Sequence, residues 1–166
     1  MRYQISRRTF LRTGTAFAGS FLLNPEISFA KSRPLLTFGI VTDSHYADRD
    51  PAGTRHYRES LEKMREAMKE MNSRKVDFVV HLGDFKDQDS NPSEQSTLEY
   101  VRRQEAAFAT FIGPRYHVLG NHDQDSITKT QFQENVVNTG IPKEKTYYSF
   151  DKKGFHFVVL DANFTK

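Results

Sequence analysis

Three short apolar runs, each followed at once by acidic, amide or imidazole side chains, constrain this chain more than any other feature of its sequence. The runs span residues 35–41, 76–82 and 116–119 and lie about 40 residues apart. Segments with apolar residues at helical spacing separate them, so strands and helices are expected to alternate. This order is typical of an α/β fold, with a mostly parallel sheet and helices packed on it.

The segments between and after these runs predict the remaining elements. Their apolar residues recur at the spacing of one helix face. Ser93 or Ser96 is expected to cap the second helix, because a serine oxygen accepts hydrogen bonds from the first turn. The further predicted elements are a helix at residues 54–74, the helix capped by Ser93 or Ser96 with an apolar face over residues 98–111, and a helix at 128–137. A hairpin follows, with strands at 146–150 and 155–160 joined by a turn at 151–154.

The polar groups at the three predicted strand ends are placed to form one site, because ligands of open parallel sheets bind beyond the carboxyl ends of the strands. Carboxylate, amide and imidazole donors suit Mn, Zn or Fe rather than Cu(I) or an iron–sulfur cluster. A carboxylate from the middle strand could bridge two ions ~3.5–4 Å apart. The alternative is that these residues are helix caps and turn residues. The candidates are Asp43, His45, Asp84, Asn121, His122 and Asp123.

These motifs resemble the first three signatures of the calcineurin-like metallophosphoesterases. The matching segments are Asp43-x-His45, Gly83-Asp84 with Asp87 beyond it, and Gly120-Asn121-His122-Asp123. The resemblance implies the family's αββα sandwich, of which this chain would form the N-terminal part. It also implies two divalent metal ions, of Mn, Fe or Zn, and a hydroxide activated by both that attacks phosphorus.

The resemblance further implies a role for each matching residue. Asp43 and His45 would bind the first metal ion, and Asp84 would bridge the two ions. The ligand of the second ion would be Asn121.

Two residues of the third motif would act in catalysis rather than in metal binding. His122 would sit beside the phosphate as a proton donor or a stabiliser of charge. Asp123 would orient His122, although its position suits a turn equally well.

The later part of the family pattern is missing from this sequence. The family completes its site with a separate histidine and a Gly-His-x-His element, but only His156 follows Asp123. His156 lies inside a predicted strand, and we interpret it as structural. We therefore expect residues 31–166 to be the N-terminal portion of the domain, either as a fragment or as a truncated gene product. Alone, it should be a poor enzyme of low solubility.

A narrower resemblance runs from about residue 35 to 162, to the manganese-dependent ADP-ribose/CDP-alcohol diphosphatase branch. Members typically have Gln where His45 stands. Arg55 and Arg58, on one helical turn, could pair with a second phosphate, and Tyr46 or Tyr57 could stack on a base. Alternatively, this segment is the solvated start of a helix. The resemblance rests on residues 38–48, 55–61, 147–150, 154 and 157–162.

The resemblance implies a metal-dependent phosphohydrolase that cleaves a phosphodiester or pyrophosphate bond of a small molecule, such as a nucleoside diphosphate-type compound. One alternative is a phosphomonoesterase similar to purple acid phosphatases, which carry a Tyr where Asp87 stands here. Another is a catalytically incomplete fragment or binding module.

The N-terminal residues 1–30 predict a twin-arginine signal peptide. Ser6 to Arg12 matches the twin-arginine pattern, and residues 28–30 form a small-x-small cleavage site before Lys31. The apolar stretch at residues 13–23 falls short of the ~20 residues that span a bilayer. We expect the twin-arginine machinery to export the protein to the periplasm or exterior, without a stable membrane anchor.

The charge of the chain excludes nucleic acid as its main partner. The sequence pI is about 9.1. However, without the arginines and the glutamate of residues 1–30, basic and acidic residues are equal in number. A nucleic-acid footprint needs a surplus of Lys and Arg on the folded domain. The chain contains no cysteine, so neither a disulfide framework nor a lipidated cysteine is expected.

Overall fold

The structure, a computed structural model, describes residues 33–164. The predicted signal peptide and its cleavage site therefore lie outside the described residues. Among the helices of the described part, none has the length and apolarity needed to cross a membrane. The elements are β1 (Phe38–Val41), α1 (Ser60–Ser73), β2 (Phe78–His81), α2 (Glu94–Phe108), β3 (Arg115–His117), a 3₁₀ turn (His122–Gln124), α3 (Lys129–Asn135), β4 (Tyr148–Lys152) and β5 (Phe155–Val159).

A parallel sheet places the three predicted strand ends at one edge. Its order is β1-β2-β3, with Val41 paired to His81 and His81 paired to His117. The carboxyl ends of all three strands are therefore level. This arrangement confirms the predicted α/β class and brings the polar motifs side by side.

The helices and the hairpin cover opposite faces of this sheet. Apolar residues of α1 and α2, including Met68 and Phe108, pack with Val79 of β2 in one core cluster. On the other face the hairpin β4–β5 places Phe157 5.0 Å from Phe78 and Phe150 3.7 Å from Tyr116, measured between ring centroids. Residues 35–164 are thus layered as helices, parallel sheet and antiparallel hairpin.

The structure confirms two predicted helix starts and shifts a third. Ser93 caps α2 by accepting a hydrogen bond from Ser96 N, and Thr128 forms a capping box with Gln131 at the start of α3. In contrast, α1 begins at Ser60 rather than residue 54. Residues 54–59 therefore form a loop before the helix, which changes where their side chains can reach.

The hairpin turn is shorter than predicted. Asp151 and Lys152 still pair with His156 and Phe155, so the turn is reduced to Lys153 and Gly154. Both turn residues have positive φ, of 49° and 84°, as in the two-residue turns that match strand twist. His156 Nδ1 lies 2.8 Å from Asp151 Oδ1 across the hairpin, in agreement with a structural role.

Candidate metal centre

The ends of β1 and β2 hold the first group of predicted ligands. Asp43 and His45 follow β1, and Asp84 follows β2. Backbone hydrogen bonds join these ends, since Asp43 N donates to Gly83 O at 3.1 Å and His45 N donates to Asp84 O at 2.9 Å. All three predicted ligands have left-handed backbone conformations, with φ of 54°, 45° and 54°. Such conformations are costly for residues other than glycine and cluster at functional sites.

Three side chains converge at this point. Nε2 of His45 lies 3.7 Å from Oδ1 of Asp43 and 3.5 Å from Oδ2 of Asp84. Ligand atoms that each lie ~2.1 Å from one ion are at most ~4.2 Å apart, so both distances fit shared coordination. One ligand atom from each residue lies within 4.8 Å of the other two. Two carboxylates and an imidazole fit a divalent cation, which these residues would hold.

Asp87 lies on the other side of the His45 ring. Its Oδ2 is 3.3 Å from His45 Nδ1 and 3.0 Å from Arg55 Nη1. Burial raises the pKa of Asp87, but the His45 ring and the Gln88 amide outweigh burial and hold the pKa at about 2. Asp87 is therefore an ionised carboxylate that can orient His45. It also forms a second possible ligand group with His45 and His122, which uses the same imidazole.

The third motif reaches the site through a backbone contact. His122 N donates to Asp84 Oδ1 at 3.0 Å, which holds the peptide between Asn121 and His122 against that carboxylate. Asn121 itself is exposed, and its role as a ligand remains a prediction. The His122 ring lies 5.0 Å from the His45 ring between centroids, and its Nδ1 is 2.7 Å from Asp125 Oδ2. Asp125 is absent from the predicted site, although an acidic residue three positions after His122 is a signal for it.

Asp123 contacts backbone amides rather than the His122 ring. Its fully buried carboxylate accepts hydrogen bonds from Gly120 N at 2.8 Å, Phe85 N at 2.8 Å and Asp84 N at 3.0 Å. Burial raises the pKa of Asp123 to about 6, although these backbone donors favour the ionised form. Thus Asp125 occupies the place beside His122 that was expected for Asp123, and Asp123 joins the ends of β2 and β3.

Two glycines allow these strand ends to approach closely. Gly83 has a φ of 107°, and a Cβ on it would lie 2.5 Å from Gly120 N. A Cβ on Gly120 would lie 2.2 Å from both N and Oδ1 of Asp84. Both the positive φ and the lack of space therefore explain Gly83, whereas lack of space beside a predicted ligand explains Gly120.

The structure corrects the predicted contacts of the substrate-binding residues. Tyr46 and Tyr57 are only 3% and 5% exposed, so neither ring is free to stack on a base. Both pack in one cluster with Tyr100. Arg55 and Arg58 precede α1 and do not share a helical turn.

The two arginines also line different clefts. Arg55 pairs with Asp87 beside His45, whereas Arg58 donates to Asp48 and Asp50. The Arg55 cleft has a volume of about 520 Å³ and includes Asp43, His45, His56 and Lys63 in its lining. Arg58 lines a separate cleft with its acidic partners. Of the two arginines, only Arg55 is therefore placed to meet a molecule bound beside the strand ends.

Comparisons with known proteins agree with this geometry. The sequence profile of the family described as calcineurin-like phosphoesterase matches residues 36–164. A protein of Oryza sativa subsp. japonica named manganese-dependent ADP-ribose/CDP-alcohol diphosphatase is 30% identical over 146 residues, which cover 84% of this chain and 44% of that protein. The protein of the same name from Arabidopsis thaliana is 35% identical over 142 residues, with 80% and 44% coverage.

The fold has a counterpart among solved structures. A purple acid phosphatase from yellow lupin (Lupinus luteus) matches with a TM-score of 0.50 at 18% identity, over 74% of this chain and 23% of that chain. This likeness concerns the fold alone. The chain spans about 44% of the length of the curated relatives named above. The family profile covers most of this sequence, and the matched segment contains the donor set for a divalent metal ion. The chain therefore belongs to the calcineurin-like phosphoesterase family.

Proposed function

We propose that this chain is part of a metal-dependent phosphohydrolase that cleaves a phosphodiester or pyrophosphate bond of a small molecule. The observation that carries the proposal is the convergence of Asp43, His45 and Asp84 at two strand ends, within 4.8 Å of one another. Membership of the phosphoesterase family supports the reaction class. The names of the relatives support manganese and a nucleoside diphosphate-type substrate. We propose two metal ions, with Asn121 as a ligand of the second.

The side chains around the donor set have separate tasks in this proposal. Divalent ions, when bound, supply positive charge to phosphate oxygens and acidify a water molecule. Asp84 is held from both sides, since Oδ2 faces His45 and Oδ1 accepts a hydrogen bond from His122 N. Asp125 contacts Nδ1 of His122, which leaves Nε2 to hold a proton for the leaving oxygen. Arg55 adds positive charge to the cleft beside Asp43.

The proposal is tested by comparing three substrates in the presence of Mn²⁺. At the low overall rate expected of these residues alone, the purified protein should release AMP from ADP-ribose and nitrophenol from bis(p-nitrophenyl) phosphate faster than it hydrolyses p-nitrophenyl phosphate. Asp84→Asn should lower the rate by at least ~10²–10³, because it weakens the groups that stabilise developing charge. Asp151→Asn, a change in the exposed hairpin, is the matched control and should retain activity. A preference for the monoester, or an unchanged rate in Asp84→Asn, would contradict the proposal.

We also propose that residues 1–30 direct export by the twin-arginine route to the periplasm or exterior. The support is the sequence alone, with the paired Arg7 and Arg8 and the cleavage site before Lys31. Periplasmic protein should begin at Lys31, and changing both arginines to Lys should abolish export. A cytoplasmic protein that retains Met1 in wild-type cells would exclude this route.

A further inference from the structure

His81 is a fully buried histidine at the end of β2 that belongs to neither group of possible metal ligands. Its ring packs at 4.8 Å from the Phe85 ring and 6.2 Å from the Phe108 ring, between centroids. Burial lowers the pKa of His81 well below its usual value. The imidazole is therefore neutral, with one nitrogen that donates and one that accepts.

The hydrogen bonds around His81 determine which nitrogen carries the proton. Gly83 N donates to Nδ1 at 3.2 Å, so Nδ1 must be the acceptor. Nε2 then carries the proton and donates to Ser44 Oγ, 2.8 Å away. The Ser44 hydroxyl donates in turn to Phe85 O at 3.1 Å. The hydrogen bonds thus run from Gly83 through His81 to Ser44 at the end of β1, and from Ser44 back to Phe85 after β2, with each donor matched to one acceptor.

Ser44 lies between Asp43 and His45, the two ligands expected from the end of β1. Both neighbours have left-handed backbone conformations, which require support from surrounding contacts. The Ser44 side chain turns inward to His81, whereas the Asp43 and His45 side chains meet Asp84 at the sheet edge. Fixing Ser44 therefore fixes the direction of both flanking side chains.

We infer that His81 is a positioning residue that acts through Ser44 to hold Asp43 and His45 in the geometry for one divalent cation. The inference rests on the metal site of the proposed function. It assigns His81 no contact with the ion or the substrate. Its effect is to hold the ligands ready before a cation arrives, as do groups that hydrogen-bond to metal ligands in other proteins.

Metal affinity provides the first test. Mn²⁺ affinity measured by calorimetric titration should fall about 10–100-fold in His81→Phe, which keeps the ring but removes both hydrogen bonds. Ser44→Ala should cause a loss of similar size. Because both changes break the same hydrogen bond, the double variant should lose little more than either single variant.

His117→Phe is the matched control. His117 is equally buried and packs 4.9 Å from the Phe85 ring, but its Nε2 lies 3.0 Å from Glu105 Oε2, which belongs to neither ligand group. It should lower the melting temperature and leave the affinity for Mn²⁺ unchanged. An equal loss of affinity in His117→Phe would show that any damage to this core weakens the site, and would overturn the positioning role.

The tautomer of His81 provides a test that needs neither metal nor a variant. Long-range ¹H–¹⁵N spectra of the wild-type protein should show Nε2 protonated and Nδ1 bare, and the opposite tautomer would overturn the inference. A wild-type protein that binds no Mn²⁺ would overturn the proposed function and the inference with it. Normal binding by wild type and by His81→Phe alike would overturn the inference alone.

Discussion

Asp123 is fully buried between the ends of β2 and β3, where it accepts hydrogen bonds from the amides of Gly120, Asp84 and Phe85. In Asp123→Asn an NH₂ group replaces one carboxylate oxygen, so that a side-chain donor would face a backbone N–H donor. Leaving a buried donor without an acceptor costs ~1–3 kcal/mol. We therefore expect Asp123→Asn to lower the free energy of unfolding by that amount, as measured by denaturant titration. Asp151→Asn should have little effect, and equal stability of both variants would contradict this role.

Asp123 also shows that the sequence predicts where a motif lies in the fold but not which way each of its side chains points. The motif correctly brings residues 120–123 to the sheet edge beside Asp84. The motif does not determine which of its side chains turns inward. The 3₁₀ turn that begins at His122 sets that direction, and so short a turn has no periodic pattern in the sequence. For the same reason Asp125, rather than Asp123, meets the His122 ring.

At the scale of elements, the contact between the ends of β2 and β3 depends on Gly120. A Cβ there would collide with Asp84 N and Oδ1. Gly120→Ala should therefore destabilise the fold by ~1–3 kcal/mol and also weaken Mn²⁺ binding, because Asp84 must move. Thermal unfolding and calorimetric titration measure the two effects. Unchanged Mn²⁺ affinity in this variant would be inconsistent with a ligand role for Asp84.

Gly140 offers a matched control for this prediction. It has a φ of 75° but no atom within 4 Å of the Cβ position. Gly140→Ala therefore adds only backbone strain, of ~1–2 kcal/mol, and should leave Mn²⁺ affinity unchanged. The comparison separates loss of stability from displacement of Asp84.

The order of the elements could be predicted because apolar periodicity distinguishes strands from helices over several residues. The loop at residues 46–58 has no such period, and its tyrosines could equally have faced a ligand. Their burial follows from tertiary contacts, such as the 5.5 Å separation of the Tyr46 and Tyr100 ring centroids. Likewise, the pairing of Arg58 with Asp48 and Asp50 depends on a loop fold that spacing alone does not define.

At the scale of the whole molecule, strand β5 of the hairpin leaves apolar surface uncovered. Among the described residues β5 pairs only with β4, while Val158 of β5 and Leu160, one residue past its end, are 61% and 70% exposed. An open strand edge that carries apolar side chains favours pairing with another molecule. The same surface accounts for the low solubility expected of these residues when they are expressed alone.

We expect the 166-residue chain to self-associate as its concentration rises, as measured by sedimentation velocity. Val158→Lys combined with Leu160→Lys should reduce this association, because charge on an edge strand opposes pairing. Ile112→Lys is the control, since Ile112 is 88% exposed but lies in the loop between α2 and β3. If the chains associate through β5, only the double lysine variant should shift the sedimentation distribution toward monomer. A wild-type chain that stays monomeric at every concentration, or an equal shift in Ile112→Lys, would place the cause of poor solubility elsewhere than in this strand.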